Sequence, residues 1–238
     1  MNVLQNLNWT KAFAELLPKL VGNALFIVVF ATVVGFIIGI LFGFLLALAR
    51  VSKSRVLVRV VILFQELIRG TPLLVQLVYM YYVVPLLIEL VMELLGFQGF
   101  KLNMTSLVAG TLGLGINYGT YISEVIRGAI ISVDKGQMEA ALALGFTPHQ
   151  SLIRVVVPQA LSSSIPVFGN YLVMLVKDTS LMAYITVPEF LLTTKAYCTQ
   201  TFLTIESYTI LALVYLVICI PLGILTKYIE RRCNQSKR

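Results

Sequence analysis

The chain has 238 residues, 58% of them hydrophobic and only 12% charged, with a net charge of +7. Soluble domains carry roughly 25% charged residues, so the composition excludes an ordinary water-soluble globule and fits a one-domain integral membrane protein. The basic residues are too sparse for a nucleic-acid stripe, a single His149 excludes multi-histidine metal sites and disfavours a histidine triad, and Cys198, Cys219 and Cys233 form no CxxC pair or disulfide framework.

Residues 1–19 lack a small-residue cleavage site, and the apolar run after them is too long for a signal-peptide core. Trp9, Phe13, Leu16 and Leu17 fall near one helical face, which predicts an interfacial helix on the outer side. A bilayer core about 30 Å thick needs roughly 20 apolar residues in a helix. Charge-free runs over 20–49, 102–123, 155–176 and 207–226 meet that length. A less perfect run over about 56–85 holds Arg59, Glu66 and Arg69. The expectation is an all-α protein with five membrane-spanning helices over 20–229, followed by a basic tail at 230–238. The loop from Glu89 to Lys101 reads as a second interfacial segment.

An odd number of spans puts the termini on opposite sides. Arg50, Lys53, Arg55, Arg59, Arg127, Lys135, Arg154, Lys227, Arg231, Arg232, Lys237 and Arg238 then share one face, and Lys11, Lys19, Lys101 and Lys195 the other. The positive-inside rule places the N-terminus outside and the C-terminus in the cytoplasm.

Charges inside a span are costly and are functional candidates. With span two starting near Leu57, Arg69 lies twelve residues on, about 18 Å deep. Gly70 and Pro72 break the helix there, and Thr71 frees backbone groups for hydrogen bonds. Arg69 is a candidate for a substrate carboxylate, or else half of an i,i+3 pair with Glu66. Asp178, late in span four, is a candidate for a substrate ammonium, or else pairs with Lys177 or a neighbouring span. Thr179 and Ser180 line the path or bond backbone carbonyls. Asn117, Tyr121 and Glu124 share one face of span three, with Arg127 placed to pair with Glu124. Tyr79, Tyr81 and Tyr82 read as an interfacial belt, and His149 as a surface residue.

The segment 132–158 crosses no bilayer. Asp134 with Gln137 forms the pattern of a capping box, residues 135–144 favour helix, and Gly145 sits at a helix C-terminus. Thr147 with Gln150 is a second box, with Pro148 at the first helical position. Two short helices therefore meet at a Gly145–Phe146 turn that needs positive φ.

Within this segment, Glu139-Ala140-Ala141, Gly145 and Val155-x-Val157-Pro158 resemble the EAA loop of ABC importer permeases, with valines in place of its Ile and Leu. Arg69 to Gln76, RGTPLLVQ, resembles the signature of polar amino-acid permeases. The YGTYISEVIR stretch from Tyr118 resembles that family's AYxAExxRG in part, and KDTSL from Lys177 and VPE from Val187 resemble two more of its stretches. The resemblance implies a membrane subunit of a type I importer in a bacterial inner membrane, paired with a second permease, identical or homologous. It implies two cytoplasmic ATPases docked on the EAA helices through Glu139, Ala140, Ala141, Gly145 and Pro158, and an external amino-acid-binding protein. Its pathway would run past Arg69, Thr71, Pro72, Gln76, Asn117, Tyr121, Asp178 and Ser180. No GxxxxGK[ST] phosphate loop occurs in these residues, so ATP and magnesium are expected on the partner, with no cofactor, metal or catalytic residue here. The SVDKGQ, KDTSL and VPE stretches are similar to the cystine branch. The rival reading is a stand-alone secondary transporter or channel, for which no inverted repeat is evident.

Overall fold

The structure is a computed structural model that describes residues 7–235. The tail residues Lys237 and Arg238 and the first six residues of the N-terminal segment lie outside the described residues. All regular structure within 7–235 is helical: α1 Trp9–Lys19, α2 Leu25–Arg50, α3 Arg55–Arg69, α4 Leu73–Val78, α5 Val84–Leu94, α6 Ser106–Ser132, α7 Lys135–Ala143, α8 Pro148–Ser151, α9 Val157–Asp178, α10 Phe190–Thr201 and α11 Thr204–Gln235. Short π-turns at Leu20–Ala24, Tyr79–Val83 and Leu152–Val156 join α1 to α2, α4 to α5 and α8 to α9, and a 3-10 segment, Thr179–Ile185, extends α9.

Four helical runs are long and apolar enough to cross a membrane: Trp9–Arg50, Leu73–Leu94, Pro148–Ile185 and Thr204–Arg232. The remaining long helix, α6, has 27 residues, about 40 Å at 1.5 Å each. It is less apolar because it faces protein. Fourteen of its residues are buried, among them Gly110, Gly113, Gly115 and Gly119. Gly35, Gly39 and Gly43 of α2 meet the Gly115 and Gly119 side of it, while Gly110 and Gly113 face Met182 and Leu77. A Cβ at Gly43 would lie 2.7 Å from the Gly119 carbonyl oxygen, and one at Gly115 3.1 Å from that of Gly35. Lipid tails are as apolar as leucine, so helices in a membrane are held by such close backbone approach. The core grows around this pair, with Leu114, Ile122, Ile126, Leu175 and Met182 buried.

Three expectations need correction. The apolar part of span two begins at Leu73, not near Leu57, because α3 is a separate amphipathic helix with only Val61 and Gln65 buried. Glu89 lies inside α5, where it accepts a hydrogen bond from Leu102 N; the turns that follow use Gly96 and Gly99 at positive φ. A helix forms at the N-terminus, but Leu16 does not share the exposed side of Trp9 and Phe13. Its Ala12 and Leu16 are buried, Trp9 and Phe13 are exposed, and Gly22 marks the kink into α2. The Asn8 N–H donates to buried Glu206, and Tyr197 donates to Glu15, tying this end to α11 and α10.

Candidate functional site

The polar residues of the interior are arranged along α6. Asn117 and Tyr118 are consecutive and lie about 17 Å from its start. The Asn117 amide donates to Gln76 Oε1 at 2.9 Å, and the Tyr118 hydroxyl donates to Asp178 Oδ2 at 2.7 Å. Helix α6 thus draws Gln76 from α4 and Asp178 from α9 to a single level. Tyr118 is 3% exposed and meets Tyr171 edge-on, with centroids 6.1 Å apart. Tyr121 also packs against Tyr171. Ser180 is half-buried in the 3-10 segment, and Thr179 donates to the Val176 carbonyl. Asp178 forms no ion pair with Lys177; its partner is the neighbouring span.

Arg69 is not at this level. It pairs with Glu66 and lies 3.9 Å from Glu124, six residues beyond Tyr118, so about 9 Å separates the two levels along α6. The structure therefore does not bring Arg69 and Asp178 together. Glu124 is the hub of the lower level. Arg50 and Arg127 each approach it at 2.9 Å. Fully buried Gln65 accepts from Arg50 and donates to Ser123. The Arg127 pair is the expected local one. Arg50, Gln65 and Ser123 come from distant parts of the chain.

The break after α3 forms as the Gly70–Pro72 pattern predicts. Its backbone is not free, however. Gln76 Nε2 donates to the carbonyls of Ile68 and Thr71, at 2.5 and 2.9 Å, while Thr71 Oγ1 donates back to Leu67 and Ile68. Thr71 and Pro72 are exposed.

At the far end of α6, α7 covers 135–143. Asp134 caps it by accepting from Gly136 N at 2.6 Å. The expected capping box is absent: Gln137 instead accepts from Gln159 Nε2 on α9. Gly145 has φ +86. Its N–H bonds Leu142 O and that of Phe146 bonds Ala141 O, which is the Schellman arrangement. Thr147 and Gln150 form both arms of their box. The helix they start is not short, because α8 continues through the π-turn into α9. Ala141 is buried against its own chain, whereas Glu139, Ala140, Leu142, Leu144 and Gly145 are exposed. His149 is exposed as expected, and Pro158 follows the π-turn. Among the described residues no cluster of His, Cys, Asp and Glu is placed to hold a metal.

The chain is 36% identical to the L-cystine transport system permease protein TcyB of Bacillus subtilis over 205 residues, 86% of this chain and 82% of that one. It is 32% identical to the glutamine transport system permease protein GlnP of Escherichia coli, covering 91% and 93%. A crystal structure of an amino acid ABC transporter with histidines superposes with a TM-score of 0.79 at 28% identity, covering 95% of this chain and 99% of that one. Residues 39–235, which include the Gly43–Gly119 contact, the Asn117–Tyr118 level and the α7 turn, match the binding-protein-dependent transport system inner membrane components; the chain belongs to that family.

Proposed function

We propose that this chain is the permease subunit of an ATP-driven importer that carries a polar amino acid from an external binding protein to the cytoplasm. It pairs with a second permease and docks two ATPase subunits. The observation that carries the reading is α7, an exposed helix that joins two long membrane helices and is presented by the Gly145 turn. Its exposed face offers Glu139, Ala140 and Leu142 to a partner, and its packing on α8 and the π-turn that leads into α9 gives a rigid route for motion. ATP-driven closure of the ATPases moves α7, and the spans then alternate between inward and outward access. The basic residues set the orientation, with the N-terminus outside. The L-cystine transport named for one relative makes cystine the first substrate to test, with glutamine next. Asp178, at the level of Gln76 and Asn117, is the acceptor for the substrate ammonium.

Gly145→Asp and Glu139→Lys test the docking. A non-glycine residue at a left-handed position costs about 1–2 kcal/mol, and the added side chain holds the surfaces apart. Both variants should reach the membrane in normal amounts, lose ATP-dependent uptake, and release the ATPase on purification. Wild-type uptake in both would reduce α7 to a connector.

A further inference from the structure

Helix α3 turns back along α2 and α6. Its Phe64 meets Phe42 of α2 edge-on, with centroids 5.9 Å apart, and its Gln65 donates to Ser123 of α6 at 2.8 Å. Val61 and Gln65 are buried on this packed face. On the opposite face Val56, Val60, Leu63 and Leu67 recur at helical spacing, each at least 59% exposed. From Val56 to Leu67 the stripe runs about 16 Å, close to half of a hydrocarbon core about 30 Å thick. Arg55 and Arg59 border it on its first two turns, and Lys53 precedes them. All three are exposed, and none forms an ion pair among the described residues. At the deeper end Glu66 and Arg69 pair with each other. The unpaired charge therefore lies beside the end of α2, at the membrane surface, and the apolar stripe lies below it.

We propose that this face of α3 binds an anionic phospholipid, with the headgroup on Lys53, Arg55 and Arg59 and an acyl chain along Val56, Val60, Leu63 and Leu67. The stripe has the depth of one leaflet, and the basic residues stand where that leaflet's headgroups lie. This order of charge and apolar surface is complementary to an anionic lipid. A lipid held there presses α3 onto the bundle, where Gln65 bonds Arg50 and Ser123. The lipid contact needs only that the chain lies in a membrane; neither ATPase docking nor the substrate enters.

Fluorescence quenching at Leu63 tests this. Trp9 is the chain's single tryptophan, so Trp9→Phe with Leu63→Trp places the one indole in the stripe. The purified protein, with whatever subunits accompany it, is reconstituted in phosphatidylcholine vesicles that contain brominated phosphatidylglycerol, or brominated phosphatidylcholine at the same fraction. Both leaflets carry the quencher, so the direction of insertion does not matter. Phosphatidylglycerol should be preferred at this indole by at least about fivefold, the factor that one Lys or Arg near an anionic surface is worth. Arg55→Gln with Arg59→Gln, both exposed and unpaired, should remove the preference, as should salt at about 1 M. The control is Val217→Trp with Trp9→Phe: Val217 is 72% exposed in α11 with no basic residue within a turn, and should show no preference. Equal quenching by the two lipids at Leu63, an equal preference at Val217, or a preference that survives loss of both arginines would overturn the proposal. So would the absence of quenching by either lipid, which would show the stripe covered by a second copy or another subunit.

Discussion

The Tyr118 hydroxyl reaches across from the middle of α6 to the last residue of α9, donating to Asp178 Oδ2 at 2.7 Å. One carboxylate oxygen is thereby held in place, and the other is left to a second donor. Hydrogen bonds to charged groups are worth about 1.5–3 kcal/mol, so the contact holds Asp178 in one orientation.

If Asp178 receives the substrate ammonium, Tyr118→Phe should raise the KM of uptake several-fold. Turnover and ATPase co-purification should stay normal, since the ring still packs on Tyr171. Asp178→Asn should raise KM further. Unchanged KM in both variants would remove Asp178 from the pathway, and loss of assembly would make the pair structural.

The glycine contact predicts a contrast within one residue type. Gly43→Ala puts a methyl 2.7 Å from the Gly119 carbonyl oxygen and should destabilise by about 1–3 kcal/mol through overpacking. Gly128→Ala, in α6 with nothing within 4 Å of the new atom, should stabilise by about 0.5–1 kcal/mol. Melting temperatures in detergent check this, and equal effects would show that α2 and α6 are not in backbone contact.

Glu189 predicts a pH dependence. It is fully buried between spans, where both its oxygens accept from the backbone N–H groups that begin α10. Burial pushes its carboxyl up to about 7, against the opposing pull of those two bonds. The folded state therefore holds the proton more tightly than the unfolded chain. Stability should be greatest below the ordinary carboxylate range and fall as pH rises to about 7. The melting temperature of wild type should drop between pH 5 and pH 8, and Glu189→Gln should flatten that drop. Parallel profiles would show that another group controls it.

Orientation is tested with the chain's own thiols. In single-cysteine variants, Cys233 should react with an impermeant reagent only from the cytoplasm. Cys198, half-buried in α10, should react from outside, slowly because its thiol lies 3.4 Å from Thr204 Oγ1. Labelling of Cys233 in intact cells would reverse the topology.

Local chemistry was legible before the structure. The Gly145 turn, the Thr147–Gln150 box, and the Glu66–Arg69 and Glu124–Arg127 pairs each lie within a few residues, where helical geometry alone decides who meets whom. Arg50 and Glu124 are 74 residues apart, and Tyr118 and Asp178 are 60 apart. Periodicity carries no information about such partners. Gln65 left one trace, an uncharged polar residue in an apolar stretch. Tyr118 left none beyond its place beside Asn117. Helix α3 misled the boundary of span two because an amphipathic helix that leads into a span lengthens the apolar run.

The π-turns at Tyr79–Val83 and Leu152–Val156 each end two residues before a proline, Pro85 and Pro158. Proline cannot donate to the carbonyl four residues back and its ring collides with it; a wider turn moves that carbonyl aside. The extra residue also rotates everything downstream by about 100°, one residue's share of a helical turn. A helical wheel drawn without interruption from Pro148 to Asp178 thus points Asn170 and Asp178 a quarter turn from their true bearings. Removing one residue from either turn would swing the rest of that span round its axis and carry Asp178, or the whole of α5, to a different neighbour.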